Sequence, residues 1–222
     1  MKKEIVLLTK SKKFGAYCIA GIDVLTNQWI RIVASGGGAI KKIDACYENG
    51  DEAEILDIIE VEITGEDNIA FQPENYIMKA RSKWIKKGSA SFDVIYQKAA
   101  KDANSNEKVF YDLAYQIPGD FLKCLNRSEV YSLMIIKIHN PYLILNKDNE
   151  GSIPKGKLSF YYKGEHYNYF RITDTDFLKS WQNQDHMCSL YGDYYIVISL
   201  GEESPHDGRH YKLIAKIFSV GR

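Results

Sequence analysis

Tyrosine constrains this chain more than any other residue. Of 222 residues sixteen are tyrosine, and ten of those follow Glu129, at Tyr131, Tyr142, Tyr161, Tyr162, Tyr167, Tyr169, Tyr191, Tyr194, Tyr195 and Tyr211. Large rings and β-branched neighbours fit a pleated, half-buried surface better than a helix. The C-terminal part is therefore expected to be largely β. Val130 to Ile138 reads as a strand, bent at Asn140-Pro141 because proline cannot donate to a central ladder, and resumed over Tyr142 to Leu145. Lys157 to Lys163 and His166 to Ile172 form a hairpin around Gly164-Glu165. Thr173-Asp174-Thr175-Asp176 supplies oxygens that cap a short helix through Trp181. Tyr194 to Leu200 and His210 to Val220 complete the set across the polar loop Gly201 to Arg209. Three strands, a helix and two strands make the element order of an OB barrel.

The N-terminal part repeats that order more loosely. Glu4 to Thr9, Ala16 to Val24 and Gln28 to Val33 read as strands, and a short helical stretch fits Ala39 to Cys46. Over Ile55 to Thr64 the apolar Ile59, Val61 and Ile63 alternate with Glu60, Glu62 and Thr64, the period of a strand with one wet face. A short fifth strand fits Tyr76 to Lys79. Between the two parts, Phe92, Ile95, Tyr96 and Ala99 follow helical spacing, as do Val109, Phe110, Leu113 and Ile117, with Pro118-Gly119 expected to break the second helix. The fold expected is mainly β with minor α: two OB-like barrels, over residues 1–90 and 129–222, joined by a small helical segment over 91–128.

The segments Ile5-Val6-Leu7-Leu8-Thr9-Lys10-Ser11-Lys12-Lys13, Tyr17-Cys18-Ile19-Ala20-Gly21 and Trp29-Ile30-Arg31-Ile32-Val33 resemble the start of a bacterial family of dual OB-fold domain proteins. Ser199-Leu200-Gly201-Glu202 and Tyr211-Lys212-Leu213-Ile214-Ala215 are similar to its close. The resemblance implies a nucleic-acid-related fold in a bacterial protein and brings no established reaction.

Composition narrows the functional classes. Lysine plus arginine total 29, matching 29 aspartate plus glutamate, so the chain is not a polyanion binder by overall charge. The charge is nonetheless segregated along the sequence. Ile43 to Met78 holds eleven acids and no lysine or arginine, after which Lys79, Arg81, Lys83, Lys86 and Lys87 crowd around Trp84. That basic run is a candidate nucleic-acid contact, since cations engage phosphates while an interleaved indole stacks on a base. The alternative is a solvated loop whose Trp84 packs into a core. Lys10, Lys12 and Lys13, in the expected first loop, would supplement the run. In the hairpin, strict alternation puts Leu158, Phe160 and Tyr162 on one face with Tyr167, Tyr169 and Arg171, either a stacking platform with a cation or the barrel core. Trp29 and Arg31 share a face, which suits base stacking or an ion pair with the acidic stretch.

Catalytic signals are weaker. His206, Asp207 and His210 would suit a metal-dependent hydrolase only on a helix, which Pro205 and Gly208 oppose. Asp185, His186 and Cys188 form a local trio without an activating context. Asp174 and Asp176 are read as caps, and Gly36-Gly37-Gly38 matches no phosphate-binding loop. The N-terminal apolar run is too short for a secretory signal, no stretch is long enough to cross a membrane, and four scattered cysteines suit a reducing cytoplasm. The function expected is non-enzymatic binding of single-stranded DNA or RNA without a cofactor, with a protein-interaction module as the alternative.

Overall fold

The computed structural model describes residues 1–13, 15–146, 152–184 and 187–220, with the Lys13 side chain excepted. It divides into two compact units, Met1–Gln97 and Lys98–Arg222. The segment expected as a separate connector is thus shared, mostly with the second unit.

The first unit is built from β1 (Lys2–Lys13), β2 (Ala16–Asp23), β3 (Trp29–Val33), the short β4 (Ile40–Lys41), β5 (Asp57–Glu66), β6 (Asn75–Met78) and β7 (Ile85–Ser89). The ladder order β1-β2-β3-β6-β5 closes on itself because β5 also pairs with β1. Five strands therefore form a closed barrel. Only β3 and β6 run parallel; the rest are antiparallel. The helical stretch expected between third and fourth strands is a 3-10 turn, Lys42–Ala45. Inside lie Ile5, Leu7, Ile19, Ile30, Ile32, Ile59, Val61, Ile63, Met78 and Trp84, so the alternation expected in β5 holds. Gly21 is required where β1 and β2 approach beside a bulge, because a Cβ there would sit 2.1 Å from the Val6 carbonyl oxygen.

The second unit contains most of α1 (Asp93–Ser105), then β8 (Gln116–Pro118), α2 (Gly119–Lys123), β9 (Leu133–His139), β10 (Tyr142–Asn146), β11 (Lys155–Tyr162), β12 (Glu165–Ile172), α3 (Thr175–Ser180), β13 (Cys188–Ser189), β14 (Asp193–Glu203) and β15 (Arg209–Ser219). The sheet runs β10-β11-β12-β15-β14-β9, with β12 and β15 parallel. The short β13 adds to the other side of β10, and β10 and β9 are halves of one run bent at Asn140-Pro141, so the sheet returns to the run on which it starts. This is the first barrel's plan again, with α3 between third and fourth strands. Lys163 and Gly164 join β11 to β12 with φ of 49° and 82°, both positive, as a two-residue hairpin turn demands. Asp174 caps α3 by accepting hydrogen bonds from the amides of Asp176 and Phe177.

The second connector helix does not form. Phe110 and Tyr111 both take positive φ, 47° and 71°, and Pro118 caps the start of α2 instead of ending a helix. The reason lies a hundred residues away. The buried Lys212 ammonium donates to the carbonyl oxygens of Val109 and Asp112, at 2.7 and 2.8 Å, and to the Asp112 carboxylate at 2.6 Å. Carbonyls claimed by a side chain are withdrawn from a helical ladder.

Among the described residues no helix is long and apolar enough to cross a membrane.

Candidate functional site

The basic run does not stand apart from the acidic stretch. Strands β5 and β7 are antiparallel ladder neighbours, with Ile59 opposite Lys86 and Glu60 opposite Ile85. Lys86 meets Asp57 at 2.6 Å, Lys87 meets Glu60 at 2.9 Å and Lys79 meets Glu62 at 2.6 Å, while Lys83 donates to the Ile43 carbonyl. Charges separated along the chain are thus joined across the sheet. Arg81 lies exposed in the turn between β6 and β7. Trp84 is 0% exposed in the barrel core, its indole N–H directed at the Met78 sulfur, so it presents no face to a base.

The supplementary cations differ too. Lys10 and Lys12 sit in β1 rather than in a loop, because that strand runs on to Lys13. Lys10 bonds Glu52 and the Ala53 carbonyl, and Lys12 is exposed. The Lys13 side chain lies outside the described residues. Trp29 and Arg31 do share a face, but it is buried, with Arg31 donating to the Asn75 side chain at 2.9 Å.

These pairs make the first barrel acid-sensitive. Glu52 accepts from Lys42, Tyr17 and Lys10, and chiefly the Lys42 contact, against a burial penalty, holds its carboxyl down at about 2. Burial pushes the Asp57 carboxyl up, but Lys86, the Tyr47 hydroxyl and the Glu54 amide outweigh it and hold it below its ordinary value. A carboxyl depressed on folding contributes stability fully above its unfolded value and loses it as pH falls through the folded one. The first barrel is therefore expected to lose stability from about pH 5 towards about pH 2. Thermal unfolding across that range checks this, and Glu52→Gln should flatten the dependence.

In the second barrel the hairpin departs from strict alternation. Leu158 pairs with Phe170 but Phe160 with Tyr167, so β12 carries one extra residue. Tyr169 absorbs it at φ 63°, its amide donating to the Ser159 hydroxyl. That bulge separates residues expected together. Tyr167 points into the core with Leu158, Phe160, Tyr162 and Phe170, its hydroxyl accepting from the Val109 amide. Tyr169 and Arg171 face outward.

The outward surface spans three strands. Ile144, Lys157 and Arg171 are successive partners across β10, β11 and β12, and Tyr142 pairs with Ser159 in the neighbouring row. Tyr142, Tyr161 and Tyr169 are 41%, 63% and 53% exposed. The Lys157 ammonium lies 5.9 Å from the Tyr169 ring centroid, and Tyr161 stacks on His166 with centroids 4.5 Å apart and planes within 14°. Exposed rings beside unburied cations can take up flat π systems and anionic groups together. Sequence reasoning placed Tyr169 and Arg171 here only through the wrong register, and it missed Tyr142, Lys157 and the Tyr161–His166 pair as surface. The rings were visible; the bulge that turns Tyr169 outward was not.

The histidine loop is divided. His210 is buried, its Nδ1 bonded to the Gly201 carbonyl, whereas His206 is exposed and Asp207 accepts from the Tyr211 hydroxyl. Among the described residues no three His, Cys, Asp or Glu side chains gather where they could hold a metal. Asp185 and His186 lie outside the described residues.

No curated protein and no solved structure matches the chain. A family model, that of the dual OB-containing domain, matches residues 3–217. That span takes in both barrels, and the chain belongs to the dual OB-containing domain family.

Proposed function

We propose that this protein is a non-catalytic binder of single-stranded nucleic acid, and that the outer face of β10, β11 and β12 is the surface it uses. The observation that carries this reading is the register of that face, in which Lys157 and Arg171 are direct ladder partners beside the exposed rings of Tyr142, Tyr161 and Tyr169. OB folds take oligonucleotides on their second and third strands. Single strands are held there by base stacking on aromatic rings and by cations that track the phosphates. A chain of zero net charge binds by such a local patch or not at all.

The test is fluorescence anisotropy with labelled oligo-dT and oligo-U at two salt concentrations. Affinity should fall with added salt, and Arg171→Ala should reduce the slope of log affinity against log salt by about 0.7 for the lost phosphate contact. Tyr161→Ala and Tyr169→Ala should each weaken binding about tenfold or more. Arg81→Ala, on the first barrel, should leave it unchanged. Absence of binding at low salt, or loss only with Arg81→Ala, overturns the reading.

A further inference from the structure

Strand β7 ends the ladder order of the first unit and, among the described residues, pairs only with β5, which leaves its other edge open from Ile85 to Ser89. Four of those five residues are exposed, including Ile85 at 42%. An open edge offers unpaired amides and carbonyls to any extended chain. Lysines usually guard such edges. Here, however, Lys86 and Lys87 are drawn onto Asp57 and Glu60 of the neighbouring strand.

Something already begins to occupy that side. Tyr47 forms one parallel bridge with Trp84, immediately before β7, and the chain then turns away through Gly50 at φ 89°. The divergence opens a groove of about 1010 Å³ between the 47–54 turn and the start of β7, bounded also by Lys10 and Lys42. Five carboxylates line it against three lysines. Lys10 and Lys42 both pair with Glu52, and Lys86 with Asp57. Among the described residues, Glu48, Asp51 and Glu54 are exposed and have no lysine or arginine partner. The surplus of negative charge disfavours a phosphate backbone and suits a cationic one.

We infer that the β7 edge and its acidic groove receive an extended basic segment of a partner protein, which adds a strand to β7 and places lysine or arginine against Glu48, Asp51 and Glu54. Main-chain hydrogen bonds along about 16 Å of edge provide the grip, and alternate side chains the selection. The site is independent of the aromatic face on the second barrel and stands whether or not that face binds nucleic acid.

The test uses the full chain and three labelled seven-residue peptides: alternating lysine and valine, alternating glutamate and valine, and the lysine peptide N-methylated at every second amide. The lysine peptide should bind at low salt and shift the amide resonances of Ile85 to Ser89. The glutamate peptide should bind at least about tenfold more weakly, and so should the lysine peptide to the combined Glu48→Gln, Asp51→Asn, Glu54→Gln variant. N-methylation should abolish binding while keeping the charge. Equal binding of the first two peptides, indifference to N-methylation, resonance shifts confined to other strands, or a homodimer that seals the β7 edge would each overturn the inference. An oligonucleotide that displaces the lysine peptide from the Ile85–Ser89 amides would overturn it as well.

Discussion

Replacing Trp84 with alanine should destabilise the first barrel by about 3–5 kcal/mol, the cost of emptying a large, fully buried aromatic site. The indole is 0% exposed among Ile5, Ile32, Ile59, Val61 and Met78, and the substitution also takes the hydrogen-bond donor from the Met78 sulfur. Urea unfolding followed by circular dichroism measures the loss. Trp84→Phe keeps most of the volume and should cost roughly half as much or less. The pair of variants separates two roles for this residue. A base-stacking tryptophan at the surface would lose nucleic-acid affinity on either change with little effect on the urea midpoint; a core tryptophan moves the midpoint first.

The second large effect is expected at Asp174. Its buried carboxylate caps α3 through the Asp176 and Phe177 amides, reaches the Ile217 amide on β15 at 3.0 Å, and pairs with Lys216 at 3.1 Å. One side chain therefore ties the helix to the fifth strand of the barrel. Asp174→Ala loses the cap, worth about 1 kcal/mol, and strands a buried amide, worth about 1–3 kcal/mol, for a total of about 2–4 kcal/mol before the orphaned ammonium is counted. Asp174→Asn retains an acceptor oxygen and should be milder. A smaller loss for alanine than for asparagine in denaturant unfolding would contradict this account.

What could be read from the sequence is what depends on neighbours along the chain. Strand alternation in β5, the proline bend before β10, a hairpin turn at Gly164 and the Asp174 cap are all set within a few residues and were legible, although the turn expected over Gly164-Glu165 falls one residue earlier, at Lys163-Gly164. What depends on partners far away in sequence was not. Helical spacing from Val109 to Ile117 yields to the Lys212 ammonium. The acidic stretch and the basic run look like two surfaces until β5 and β7 are laid side by side. At the candidate interface the chemistry was legible and the geometry was not, because one inserted residue at Tyr169 reverses the facing of everything after it on β12.

The placement of the indoles also furnishes an optical label for each half of the chain. Trp29 and Trp84 are enclosed in the first unit, while Trp181 is partly exposed in the second, where twelve of the sixteen tyrosines also lie. Excitation selective for indole follows chiefly the melting of the first barrel, through the red shift of two sheltered emitters, and tyrosine signals follow chiefly the second. The unlabelled protein thus reports, wavelength by wavelength, whether its halves come apart together or in sequence.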